Sequence, residues 1–84
     1  MQIPQREFWT GDPERLPDGF TLTKTQGDRT MTGTCEVWTH QFGWELRLVI
    51  EGHSLRRSWV ARSMTEMLKT LEMWYAEMLE KSWS

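Results

Sequence analysis

The sequence predicts an α+β fold: an antiparallel three- to four-stranded meander sheet packed against one C-terminal amphipathic helix. Before residue 52, three stretches alternate apolar and polar residues, which is the two-residue period of half-buried strands. After residue 63, apolar residues recur every three or four positions, which is the period of an amphipathic helix. At 84 residues the chain fits one domain, residues 1–84, in the order β-β-β-β-α.

The first segment, residues 1–18, predicts an irregular N-terminal arm. All three prolines lie there, and residues 10–13 and 17–19 carry turn signals. Phe8 and Trp9 are apolar, so we expect them to dock over an open end of the core. Exchange of the arm between subunits is the alternative.

The predicted sheet occupies residues 19–62. Its first three strands, 20–25, 29–40 and 44–51, alternate regularly and are separated by turn residues. The stretch 55–62 alternates less well: Leu55 and Trp59 fall on one face and Val60 on the other, and a β-bulge would reconcile them. Pairing the second strand with the third places Arg47 beside Trp38 or Glu36, depending on register.

The predicted helix occupies residues 63–82. Ser63 and Glu66 have the spacing of a capping box, in which each side chain accepts a hydrogen bond from the other residue's backbone N–H. We expect the helix to run to about Lys81, with Trp83 near a frayed end. Its methionines favour core packing, with an adaptable partner-binding groove as the alternative.

Charge and cysteine content limit the partners and the compartment. The net charge is −2, which argues against broad electrostatic capture of nucleic acid or of an anionic membrane. Cys35 is the only cysteine, so no intrachain disulfide forms. No apolar run resembles a signal peptide or reaches the roughly 18 residues of a membrane span. The sequence therefore predicts a cytoplasmic protein with no membrane segment.

The side chains that carry most metal and nucleophilic chemistry are sparse. Cys35, His40 and His53 are the only soft or imidazole ligands, and no Cys-x-x-Cys or His-x-x-x-His spacing is present. Cys35 and His40 fall on opposite faces of one strand, roughly 16 Å apart. No glycine-rich phosphate loop occurs. We therefore predict no cofactor, no metal and no enzymatic activity.

One group of residues mixes guanidinium groups with indoles and forms the candidate binding patch: Trp38, Arg47, Arg56, Arg57, Trp59 and Arg62. Arginine stems that cover tryptophan rings account for it without any ligand. Tryptophan and arginine are also the favoured anchors of protein interfaces. A third interpretation is base stacking with phosphate contacts, as in single-stranded nucleic-acid binders.

Three segments resemble short uncharacterised proteins of rhizobial-type bacteria: Gly43-Trp44-Glu45-Leu46-Arg47-Leu48, Val60-Ala61-Arg62-Ser63, and Trp74 through Lys81-Ser82-Trp83. The resemblance covers roughly the C-terminal half and implies no activity and no functional residues. The strand order followed by a helix is also similar to one repeat of the Whirly and Pur single-stranded-DNA-binding folds. That second likeness implies topology only.

Together these observations predict a small non-enzymatic interaction or regulatory module. Six tryptophans exceed what one small core encloses, so we expect at least one on a surface that a partner covers. We predict a homodimer that binds a protein partner through a sheet face bearing Trp and Arg. The alternative is a single-stranded nucleic-acid-binding protein that uses the Arg/Trp patch, which the acidic net charge disfavours.

Overall fold

The computed structural model describes residues 11–84 as a four-stranded antiparallel sheet followed by one helix, which confirms the predicted β-β-β-β-α order. The strands are neighbours in chain order, and the elements are β1 (Arg15–Gln26), β2 (Arg29–His40), β3 (Gly43–Ile50), β4 (Ser54–Ala61) and α1 (Met64–Glu80). Phe8 and Trp9, for which docking on the core or exchange between subunits was predicted, lie outside the described residues.

The strand β1 begins at Arg15, although the sequence predicted an irregular arm up to residue 18. A β-bulge accounts for the difference, because the register with β2 shifts between Leu16 and Gly19. Pro17 is compatible with this position because β1 is an edge strand and the bulge relaxes the pairing. Gly19 has φ +122°, a conformation that side chains rarely adopt. The turn signals at 17–19 therefore mark a bulge inside the strand.

Helix α1 covers one face of the sheet, here called the helix-side face, and no helix or strand among residues 11–84 covers the other, here called the open face. The core lies between the helix-side face and α1 and contains Cys35, Val37, Leu46, Ala61, Met67 and Trp74. Apolar side chains from β2 and β3 alternate into this layer, as their two-residue period requires. The predicted inward orientation of Cys35 is thereby confirmed.

The strand β4 contains the bulge that the sequence suggested, but its faces differ from the prediction. Leu48 pairs with Arg57 and Val49 pairs with Leu55, so Arg56 is the extra residue. The bulge shifts the alternation, and Leu55 consequently lies on the open face. Trp59 pairs with Leu46 and lies on the helix-side face. Placing these two side chains on one face was therefore wrong.

The N-terminus of α1 is capped by Ser63, as predicted. The Ser63 hydroxyl accepts a hydrogen bond of 3.1 Å from the Glu66 backbone N–H. The Glu66 carboxylate, however, accepts from the backbone N–H of Arg62 at 2.8 Å and from the Trp59 indole at 3.3 Å. Glu66 therefore joins the helix to the end of β4 in addition to stabilising the first turn.

The C-terminal end of α1 is ordered, and the prediction of a frayed end around Trp83 was wrong. Ser82 has φ +72°, and the backbone N–H groups of Trp83 and Ser82 donate to the carbonyls of Met78 and Leu79. These two bonds form a Schellman motif. Ser84 then pairs with Thr23 of β1 through two backbone hydrogen bonds of 2.8 Å each. The last two residues thus fasten the helix to the sheet edge.

The close approach of Trp83 to Gly33 makes a testable contact. A Cβ at residue 33 would lie 2.9 Å from the Trp83 ring and 2.8 Å from the Met78 methyl carbon. We expect Gly33→Ala to lower the free energy of unfolding by about 1–3 kcal/mol through overpacking. In a Trp83→Ala background the same change should cost much less, and urea unfolding of the four proteins measures this coupling. Additive effects of the two substitutions would contradict the contact.

Candidate functional site

The open face carries a cluster of charged side chains around one indole, here called the open-face cluster: Arg15, Glu36, Trp38, Glu45 and Arg47. The register between β2 and β3 places Glu36 opposite Arg47 and Trp38 opposite Glu45. Arg15 on β1 pairs with Trp38. Three neighbouring strands therefore contribute to one surface, as cross-strand pairing on a single face requires.

Within the open-face cluster, the charged groups are paired with one another. Arg47 donates from Nη2 and Nε to Glu45 Oε1 at 2.8 and 3.0 Å, and its guanidinium carbon lies 4.9 Å from the centre of the Trp38 ring. The Trp38 indole donates to Glu36 at 2.9 Å. The same carboxylate lies 3.7 Å from Arg15. Two arginines offset two glutamates, so the cluster is formally neutral.

A depression of mixed polar and apolar lining overlaps the open-face cluster, since Glu36, Glu45 and Arg47 line it. Val49 points to the open face yet is only 8% exposed, and Leu55 lies beside it. His53 and Gly52 of the turn between β3 and β4 complete the rim. Tryptophan and arginine beside a partly apolar depression are residue types favoured at protein interfaces.

The structure separates the predicted patch into two surfaces. Trp38 and Arg47 meet on the open face, but Arg57 and Trp59 lie on the helix-side face. Arg57 donates to Glu77 of α1 at 2.6 Å and stacks 4.5 Å above the ring of Trp74. The bulge at Arg56 explains the separation, because one extra residue moves the rest of β4 to the other face.

The two remaining arginines of the predicted patch also lie away from the open-face cluster. Arg56 lines a space between α1 and the sheet. Arg62 follows β4 and is exposed, with its backbone N–H bound by Glu66. The six predicted residues therefore do not form one continuous basic surface, and only the Trp38–Arg47 pair forms as predicted.

A groove runs between the C-terminal half of α1 and the sheet, here called the helix–sheet groove. It has a volume of about 260 Å³, and its apolar walls come from Met31, Leu48, Ile50, Trp74, Met78 and Trp83. Its rim carries Arg56, Arg57, Glu77 and Lys81. The methionines of α1 had suggested a partner-binding groove as the alternative to core packing, and Met78 does line this one. Its position could not be predicted, because it depends on how α1 crosses the sheet.

Cys35 is the one group whose pKa clearly departs from its usual value in the described part of the chain. Burial raises the pKa of the Cys35 thiol from 9.0 to about 12, the Glu36 charge adds to the rise, and Arg57 opposes it. The side chain is 1% exposed. The thiol is therefore protonated near neutral pH and shielded from reagents, as expected of a buried structural cysteine.

This raised pKa predicts a pH dependence of stability. The unfolded thiol ionises near pH 9, whereas the native thiol stays neutral up to about pH 12. Stability from this group is therefore complete below pH 9 and falls as pH rises from 9 towards 12, by about 1.4 kcal/mol per pH unit. The measurement is urea unfolding at pH 8, 9 and 10 of the wild type and of Cys35→Ala. An unchanged difference between the two proteins across this range would contradict the assignment.

The strand β4 forms one edge of the sheet, and no strand pairs with its outer side among residues 11–84. Leu55 is 58% exposed on the open face and Trp59 is 51% exposed on the helix-side face. The opposite edge, β1, is partly covered by Ser84, which pairs with Thr23. The two edges of the sheet are therefore protected to different extents.

Comparison of the chain with protein-family models, with curated proteins and with solved structures finds no match. In the described range no helix is both long and apolar enough to cross a bilayer. Nor do residues 11–84 bring three or more His, Cys, Asp or Glu side chains into a group that could hold a metal ion.

Proposed function

We propose that this chain is a non-enzymatic protein-interaction module that forms a homodimer through β4 and binds a protein partner through its open face. The observation that carries the proposal is the edge of β4, eight residues long, which no strand among residues 11–84 pairs and which has an exposed large apolar side chain on each face, although Arg56, Arg57 and the bulge limit pairing at its N-terminal half. Proteins usually shorten, charge or cover such edges, because unpaired backbone groups there recruit other strands. In a symmetric dimer, the β4 edge of each copy supplies hydrogen-bond partners to the unpaired backbone groups of the other copy.

The side chains of β4 favour one register for this pairing. In an antiparallel pair centred on Ser58, Arg57 lies opposite Trp59 of the second copy, and Arg56 lies opposite Val60. No two arginines then face each other directly, whereas a pair centred on Arg57 would oppose two identical charges, which is unfavourable. The Ser58-centred pair joins two four-stranded sheets into one continuous sheet with both open faces on the same side.

The open-face cluster supports a protein as the second partner. Its arginine and tryptophan are the residue types that dominate binding energy at protein interfaces, and they adjoin the depression at Val49. Arg47 is already bound by Glu45, and the cluster is formally neutral, so a phosphate gains little there. Single-stranded nucleic acid is therefore disfavoured as the ligand of this face.

Light scattering coupled to size exclusion tests the dimer. The expected mass is twice the 10.1 kDa of one chain. Leu55→Lys should yield a monomer, because it adds a charge at the proposed seam, while Leu79→Lys on α1 serves as the matched control and should remain dimeric. Both side chains are exposed, so neither change should unfold the domain. A monomeric wild type at 100 µM, or the same oligomeric state for Leu55→Lys and Leu79→Lys, would overturn the proposed dimer.

The partner on the open face needs a separate experiment. Labelled single-stranded oligonucleotides should show no saturable anisotropy change at low salt. Submicromolar binding that weakens steeply with salt would show that the open face binds nucleic acid and would contradict a protein partner there. Cross-linking in cell extract should recover a defined protein with the wild type and with Leu79→Lys, but not with Trp38→Ala. Recovery that does not depend on Trp38 would contradict the assignment of this face.

A further inference from the structure

We propose that the helix–sheet groove binds a small monocarboxylate with an apolar body, such as a medium-chain fatty acid. The groove lies on the helix-side face and is separate from the open-face cluster, but two of its rim residues, Arg56 and Arg57, belong to β4, the strand of the proposed dimer seam. Its walls, its rim and the fixing of its outer end each support this class of ligand.

The walls of the helix–sheet groove favour an apolar body. Six apolar side chains surround a space of about 260 Å³, slightly smaller than the roughly 300–1,000 Å³ usual for pockets that bind drug-sized molecules. The groove is open to solvent along one side, so its apolar walls are exposed to water until a ligand covers them. Met31 and Met78 are unbranched and polarizable, so they adapt readily to a flexible chain.

The rim of the groove favours an anionic head group. Of its four charged side chains, Glu77 accepts a 2.6 Å hydrogen bond from Arg57, and these two charges offset each other. Arg56 and Lys81 remain as an excess of two positive charges, and neither has an ion-pair partner within the described range. A carboxylate complements this rim, since its hydrogen bonds with guanidinium and ammonium groups are strengthened by charge. An ammonium head group would be repelled.

The outer end of the groove is held in place before any ligand arrives. Trp83 forms that wall, and the Schellman motif fixes its backbone to Met78. The pairing of Ser84 with Thr23 secures the residue that follows. Arg57 over the Trp74 ring likewise fixes an inner wall. Less conformational freedom is then lost on binding, which favours affinity.

Sodium octanoate is the probe for this site, and the full chain is titrated by calorimetry and by tryptophan fluorescence. We expect saturable binding of one octanoate per chain, and at least tenfold weaker binding of 1-octanol. Arg56→Gln should weaken octanoate binding about tenfold, whereas Arg62→Gln, an exposed arginine outside the groove, should leave it unchanged. Equal affinity for octanol, equal behaviour of the two variants, or no saturation at millimolar octanoate would overturn the proposal.

Methionine methyl resonances report where the probe binds. Met31 and Met78 line the groove, while Met64 and Met73 are exposed on α1 and serve as internal controls. Octanoate should shift the resonances of the first pair and leave the second pair in place. Shifts of similar size at all four methyl groups would indicate nonspecific adsorption and reject the site. A negative result here leaves the dimer and the open-face partner unaffected, because neither uses these methionines.

Discussion

Replacing Gly43 by alanine is expected to destabilise the domain by about 2–6 kcal/mol, as backbone strain and a steric clash act together. Gly43 closes the hairpin between β2 and β3 and has φ +148°, which side chains rarely adopt. An added Cβ would also collide with the backbone carbonyl oxygen of Ala61 in β4. Because that atom belongs to a paired strand, it cannot move aside without breaking the sheet.

Gly52→Ala is the matched control for Gly43→Ala. Gly52 also has a positive φ, +76°, but no atom lies within 4 Å of its added Cβ. We expect a loss of only about 1 kcal/mol there, which is the strain of a left-handed residue without a clash. Urea unfolding followed by circular dichroism compares the two variants. Similar losses of unfolding free energy at both positions would show that the clash with β4 does not contribute to the effect of Gly43→Ala.

Trp74→Ala is expected to lower the free energy of unfolding by about 3–5 kcal/mol, the usual cost of truncating a buried tryptophan. Trp74 is 2% exposed and packs in the core between α1 and the sheet. It also carries the Arg57 guanidinium 4.5 Å from its ring centre. The substitution removes both the packing and the cation–π contact. A loss of this size is a large part of the total stability of a domain this small.

Met73→Ala is the control for Trp74→Ala, because Met73 is the next-door residue of α1 and is half exposed. Its truncation should change stability by less than about 0.5–1 kcal/mol. Chemical denaturation gives the two values, and near-ultraviolet circular dichroism shows whether the remaining tryptophans keep fixed surroundings. Comparable effects of the two substitutions would contradict the position of α1 over the core.

The order and type of the elements follow from the sequence because their periods are strong. The alternation in β2 and β3 and the three-to-four spacing in α1 each repeat over several residues, and one buried face fixes their orientation. The start of β1 was missed because Pro17, Asp18 and Gly19 have the composition of a turn. Only the pairing of the next strand shows that they form a bulge.

The candidate sites were less predictable, since they depend on tertiary geometry. Trp38 and Arg47 were correctly placed together because both lie on regular, adjacent strands. Arg57 and Trp59 were grouped with Trp38 and Arg47, but the structure separates them because one bulge residue reverses all later positions of β4. The helix–sheet groove forms because α1 crosses the sheet and because Trp83, beyond the end of the helix, packs against Gly33 of β2. Neither leaves a periodic signal in the sequence.

Disulfide formation by Ser58→Cys tests the pairing of β4 most directly. Ser58 is exposed at the proposed two-fold axis, so two introduced thiols would lie opposite each other, within the distance that a disulfide spans. The native Cys35 is buried and its pKa is raised, so it does not compete. The account predicts a covalent dimer of Ser58→Cys under mild oxidation and little cross-linking of Thr25→Cys, an exposed position on β1. A Ser58→Cys protein that stays monomeric, or cross-links no faster than Thr25→Cys, would contradict the β4 dimer.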